Sequence, residues 1–185
     1  MKRKKYMGFR DFMHNELPGD RDARKVIFQI KRALCGHITF LAACRMEKAF
    51  SEYVLYESIL RVLLAYDYQV ECEYAHPCLP KRKKGDYKKI DFYATGTGPS
   101  VVIEVKWARN PKIMDIKRDA EKLRKIKSVD SNCIPLLCIF GRKKFIARKR
   151  LKLKPDCFKE WGRPVYVDRA PMYGCRFFEL KMAKL

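Results

Sequence analysis

The hydrophobic period of this chain changes at Pro111, and that change limits the chain to an α/β fold. Before it, "IDFYATGTGPS" reads as a strand ending in a Gly/Pro turn, and "VVIEVKWA" reads as the strand that returns. After it, Ile113, Ile116, Ala120 and Leu123 recur at helical spacing, with Lys117, Arg118, Lys122 and Arg124 on the other face. The run "CIPLLCIF", closed by Gly141, goes back to a short buried strand. Upstream, residues 20–35 have an acidic start, apolar Val26, Ile27, Ile30 and Leu34, and Gly36 as a stop, which predicts a helix. A longer apolar helical stretch follows from about Ile38 to Tyr66, broken near Arg45, and "YQVECEYA" supplies a first strand. Helix, three strands, helix, strand is the order of an α/β sandwich with a mixed central sheet. The length of 185 residues suits one domain. Its expected parts are an N-terminal helical extension (1–45), a core (46–141) and a basic C-terminal segment (142–185) packed on the same domain. In that last part "PVYVDRAPMYGCRFFELKM" predicts a β-hairpin.

Charge narrows the partner. The chain has 42 Lys+Arg against 21 Asp+Glu, a formal net charge of +21. Such an excess repels itself unless it meets an anion, and nucleic acid fits better than an anionic membrane. No run of about 18 apolar residues is present, so no membrane span is expected. The start "MKRKKYMGF" lacks the apolar segment of a signal peptide, so the expected location is the cytoplasm, nucleoid or host-cell interior, without secretion. The eight cysteines contain no C-x-x-C pair, which predicts free thiols in a reducing compartment. His14, His37 and His76 form no ligand spacing.

Glu104 and Lys106 interrupt the most apolar strand and share one of its faces, since residues i and i+2 line the same side. A hairpin brings Asp91 beside Glu104. Two carboxylates held together repel unless a cation lies between them. A hard divalent ion such as Mg²⁺ or Mn²⁺ meets that need with few protein ligands, can supply a water nucleophile and can offset charge on a phosphate. In a basic chain this constellation reads as metal-dependent phosphodiester hydrolysis. The basic residues that would contact phosphate are Lys81, Arg82, Lys83, Lys84, Lys88 and Lys89 before the Asp91 strand, with Arg109, Arg142, Lys143 and Lys144 after later ones.

Asp91 followed, after twelve intervening residues, by Glu104-Val105-Lys106 resembles the D…(D/E)-x-K signature of the PD-(D/E)xK, or restriction-endonuclease-like, nuclease superfamily. The resemblance spans residues 50–140 and implies an αβββαβ sandwich. It also implies that Asp91, Glu104 and the Val105 carbonyl ligate the metal and that Lys106 serves the nucleophile. Glu57, on the preceding helix as in Holliday-junction-resolvase-like members, would hold the metal or its water. Glu52 is the alternative helical carboxylate, and a Glu57–Arg61 bridge is the structural alternative for Glu57. Ile90 stands where the family often has proline. A second match, Asp168 with Glu179-Leu180-Lys181, lies too close to the end to be completed by a helix and a strand. The expectation is a Mg²⁺-dependent nuclease acting on DNA, with apolar N-terminal helices offering a homodimer face. The alternatives are a non-cleaving nucleic-acid-binding module on the same fold and an RNA-binding protein of ribosomal type.

Overall fold

The structure, a computed structural model, describes residues 18–80, 88–109, 116–147, 151, 153, 156–166 and 172–181. Helix α1 (Pro18–Ala43) is followed by a single 3₁₀ turn (Glu47–Ala49) and helix α2 (Glu52–Ala65). Strands β1 (Gln69–Tyr74), β2 (Ile90–Thr95) and β3 (Val101–Ala108) lead to helix α3 (Ile116–Val129) and strand β4 (Ile134–Arg142). The short helix α4 (Lys143–Ile146) and strands β5 (Phe158–Glu160), β6 (Val165–Tyr166) and β7 (Tyr173–Leu180) complete the described elements. The mixed sheet runs β1-β2-β3-β4-β7-β5, with β6 also on β7. β3 and β4 are parallel, joined through α3, and the other pairings are antiparallel.

Alternation along β3 divides the interior in two. Val101, Ile103 and Val105 pack with α1 and α2, whereas Val102 and Ala108 pack with Ala120, Leu123 and Ile126 of α3. The sheet is therefore covered on both faces. That explains why β4, buried at every position from Ile134 to Gly141, is a continuous apolar run.

Two sequence expectations change. Gly36 does not end α1, which runs to Ala43. Ile38 and Leu41 extend the buried stripe Ala23, Val26, Ile27, Ile30 and Leu34 past it, and a helical glycine costs only about 1 kcal/mol relative to alanine. The break comes where expected, at Arg45, whose φ of 57° is left-handed. Second, α1 is no appendage. Its stripe belongs to the same apolar cluster as Phe92, Ile103, Cys138 and Phe177, and buried Lys31 donates to the Trp161 carbonyl (2.8 Å) and to that of Arg163. The run-length criterion also overlooks that Ala23–Ala43 is long and apolar enough, by composition, to cross a membrane; here its apolar stripe lies against the sheet. The C-terminal hairpin expected from the sequence is built into the sheet. β6 and β7 pair, and β7 lies inside the sheet against β4, with Cys175, Phe177 and Phe178 fully buried.

Candidate active site

β2 and β3 are paired at Phe92↔Ile103, Tyr93↔Val102 and Ala94↔Val101. One step further, where Asp91 would oppose Glu104, the ladder stops and side chains replace it. Val105 N–H donates to Asp91 Oδ2 at 2.6 Å, and Trp107 N–H donates to Glu52 Oε1 at 2.9 Å. These amides lie two residues apart on one strand edge, so two carboxylates satisfy donors that a neighbouring strand would otherwise take. Asp91 arrives on the departing strand, and Glu52 on the first turn of α2, whose start is fixed by Ser51 Oγ accepting from Val54 N–H (3.3 Å).

On the α3 side of β3 lie Glu104 and Lys106. Glu104 is 2% exposed and makes an ion pair with Lys122. Lys106 Nζ lies 2.9 Å from Asp119 Oδ2, and Lys122 Nζ lies 3.5 Å from Asp119 Oδ1 and donates to the Lys89 carbonyl at 3.0 Å. Two carboxylates and two ammoniums thus interlock beneath α3. Lys122 Nζ faces Glu104 Oε1 and Lys106 Nζ faces Asp119 Oδ2, so each buried carboxylate oxygen has an ammonium for its partner. Burial pushes the Asp91 carboxyl up to about 6, against the Val105 amide, the Tyr56 hydroxyl and Lys122, while Glu73 adds to the rise. Burial, then the charge of Asp91, raise Glu104 higher still, with Lys122 opposing. For Lys106 burial acts downward, but Asp119, then Glu52 and Glu104, more than reverse it and keep the ammonium charged.

Asp91, Glu104 and Lys106 are brought together; Glu57 is not. It is exposed and bridges Arg61 at 2.7 Å, because five residues at about 100° each turn it roughly 140° away from Glu52 around α2. Glu52 is the helical carboxylate at this cluster. Glu57→Ala is expected to shift stability by no more than about 0.5 kcal/mol in urea denaturation. Glu52→Ala should cost about 1–2 kcal/mol, since it orphans the Trp107 amide.

Sheet topology also gathers the basic residues. Lys88 and Lys89 precede β2, Arg109 follows β3, and Arg142, Lys143 and Lys144 stand at the end of β4. Because β2 runs antiparallel to β3 and β4 parallel to it, all six belong to the sheet end that bears Asp91 and Lys106. Arg109 lies over the Trp107 ring, 3.9 Å from its centroid. Lys81, Arg82, Lys83 and Lys84 fall outside the described residues, as does Asp168 of the second match. His76 is a packed loop residue, its Nδ1 accepting from Cys78 N–H (3.3 Å) between Tyr74 and Tyr93. Buried Cys133, Cys138 and Cys175 are free thiols raised by burial.

Among the described residues no three His, Cys, Asp or Glu side chains converge as a ready chelate. The donors nevertheless suit a hard divalent ion, which needs one or two carboxylates and keeps its waters. Asp91 and Glu104, on neighbouring strands, are the carboxylates such an ion would draw on, and Lys122 faces Glu104 Oε1 in its place. A groove of about 540 Å³ between α1 and α2, lined by Ala33, His37, Phe40 and Arg61, shares no residue with this cluster. Comparisons with protein-family models, curated proteins and solved structures found no match for this chain.

Sequence reasoning passed over Asp119 and misplaced Lys122. A signal for Asp119 exists, since it occupies the stripe Ile116, Asp119, Ala120, Leu123, Ile126 where an apolar residue is due. Lys122, read as part of the basic face opposite the apolar one, lies on the flank of that stripe and turns inward because two buried carboxylates attract it.

Proposed function

We propose that this chain is a metal-dependent nuclease on a restriction-endonuclease-like plan, hydrolysing phosphodiester bonds in DNA. The observation that carries the reading is the meeting of Asp91 and Glu104 at the point where β2 leaves β3, at the sheet end where the basic residues gather. Asp91, Glu104 and the Val105 carbonyl would hold Mg²⁺ or Mn²⁺. When bound, such an ion lowers the pKa of its water and offsets charge on the phosphate.

The chain's own residues divide the remaining work. Glu52 and the β3 amides fix the carboxylates. Lys106, held charged, orients the attacking water or a phosphate oxygen by donating to it and does not serve as a base. Lys122 occupies the cation position at Glu104, so its ion pair and a bound metal exclude one another. Lys88, Lys89, Arg109, Arg142, Lys143 and Lys144 would contact the phosphate backbone, which predicts binding that weakens steeply with salt.

The test is cleavage of plasmid DNA by purified protein. Turnover should need Mg²⁺ or Mn²⁺ and stop with EDTA; tight binding without turnover under either ion contradicts the reading. It would favour the second one, a non-cleaving nucleic-acid-binding module. That alternative is supported by the existing match of Glu104 to Lys122 and Lys106 to Asp119.

Protons should compete with the metal. With Asp91 raised to about 6 from an ordinary 3.8, the folded chain holds more protons than the unfolded one across that interval. Metal-free stability is therefore highest below it and declines as pH rises through about 6, and further as Glu104 ionises. A metal needs the ionised forms. Mg²⁺ should therefore raise the melting temperature more at pH about 8 than at pH about 5.5. Equal shifts at both pH values contradict ligation by these carboxylates.

A further inference from the structure

Asp91 is held from two sides, and its second holder is built at the expense of regular backbone. Tyr56, on α2, donates its hydroxyl proton to Glu73 Oε1 at 3.2 Å, and the same hydroxyl stands beside Asp91, where its single proton could serve instead. Its ring packs on Phe92, the residue after Asp91, with centroids 4.6 Å apart, and Phe92 is fully buried. The hydroxyl is thus a fixed post beside Asp91. Glu73 reaches it in an unusual way. It lies inside β1, between the pairs Cys72↔Phe92 and Tyr74↔Ile90, yet has a φ of 53°. A glutamate gains nothing from the left-handed region, which strains any residue with a Cβ. An extended residue here would have continued the ladder opposite Asp91. Strain of this kind persists where surrounding structure imposes it, and it concentrates at functional sites.

We propose that Tyr56 and Glu73 are positioning residues that set the orientation of Asp91 for a divalent cation. The proposal rests on the nuclease reading and extends it to residues outside the D…E-x-K pattern. Val105 N–H fixes one oxygen of Asp91 from the β3 edge, and the Tyr56 hydroxyl, its one proton directed to Glu73 or to Asp91, bounds the carboxylate from the α2 side. Glu73 anchors the hydroxyl and adds a third negative charge in the row Glu73, Asp91, Glu104 across three adjacent strands. A cation between Asp91 and Glu104 would be attracted by all three.

The test measures Mn²⁺ binding to the full chain by titration calorimetry, beside Mn²⁺-dependent plasmid cleavage. Tyr56→Phe and Glu73→Gln should each weaken Mn²⁺ binding by about 10- to 100-fold, the effect typical of removing a group that orients a ligand. Cleavage at saturating Mn²⁺ should stay within a few-fold of the parent, so the loss appears in metal affinity rather than in turnover. Glu73→Gly relieves the left-handed strain and should melt no lower than the parent while binding Mn²⁺ more weakly. Opposite movement of stability and affinity is the signature of a positioning role. Unchanged Mn²⁺ affinity in folded Tyr56→Phe and Glu73→Gln, with the parent binding normally, overturns the proposal alone. A parent chain that neither binds Mn²⁺ nor cleaves overturns the proposal and the nuclease reading together.

Discussion

Glu104→Gln is expected to cut plasmid DNA on the order of 10³-fold more slowly than the parent and yet to be at least as stable. The two effects have one origin. Glu104 is buried on the α3 face of β3, where solvent cannot support its charge, and Asp91 stands on the neighbouring strand. Lys122 offsets a charge in that position only in part, since the carboxyl stays raised, and a divalent ion would offset it further. Glutamine keeps the shape and drops the charge, so the metal-free fold loses a burdened group. What it cannot do is neutralise a cation that offsets phosphate charge. Losing one preorganised donor already costs about 10²–10³-fold in catalysis, and a metal ligand should cost no less. Asp91→Asn should behave alike, because its folded form also favours the proton up to a pH of about 6. Cleavage rates and urea denaturation on the same preparations decide the matter. Parent-like cleavage by both variants removes these carboxylates from the reaction; a large loss of stability in both makes them structural.

Asp119→Ala should have the largest effect on stability, a loss of about 3–5 kcal/mol. Asp119 is the shared anion of two lysines, 2.9 Å from Lys106 and 3.5 Å from Lys122, and is only 4% exposed. Alanine leaves two ammoniums in a crevice faced only by Glu104, a carboxyl that burial already drives toward its neutral form. For a domain of ordinary stability, about 5–15 kcal/mol, this is a substantial fraction. At this chain length it corresponds to a fall in melting temperature of about 10 °C. Pairing Asp119→Leu with Lys106→Met should recover most of the loss, since apolar packing replaces a buried ion pair at little net cost. If Asp119→Ala lies within about 1 kcal/mol of the parent, the network is solvated and Lys106 is not held as described.

Much of the fold was legible because it is written in local periods. Strands β1 to β4 and helices α2 and α3 follow from apolar alternation, helical spacing and breakers, and the left-handed turn at Arg45 fell where the apolar stretch was expected to break. The end of α1 was not legible, because a glycine in a helix is a weak penalty and the sheet it packs on is a distant partner. β7 was read as a strand, but its pairing with β4 was not legible, since nothing local says which strand it will meet. In the candidate site, Asp91, Glu104 and Lys106 came from one strand pair and their adjacency followed from the hairpin. Glu52 and Glu57 differ by five positions on one helix of mixed exposure, so helical spacing alone did not choose between them. The choice came from the amide of Trp107, left open where β2 departs and taken by Glu52.

The sequence by itself determined an α/β chain with a strongly basic surface and a charged pair, Glu104 and Lys106, on one face of a buried strand. Tertiary structure decided what that pair touches. Asp119 and Lys122 come from α3, Glu52 and Tyr56 from α2, and Glu73 from an edge strand. Each is positioned by packing between elements remote in sequence. Period and propensity act over a few residues and fix which way a side chain faces. The partner it meets depends on how helices and strands dock, and that is settled by burial summed over the whole core.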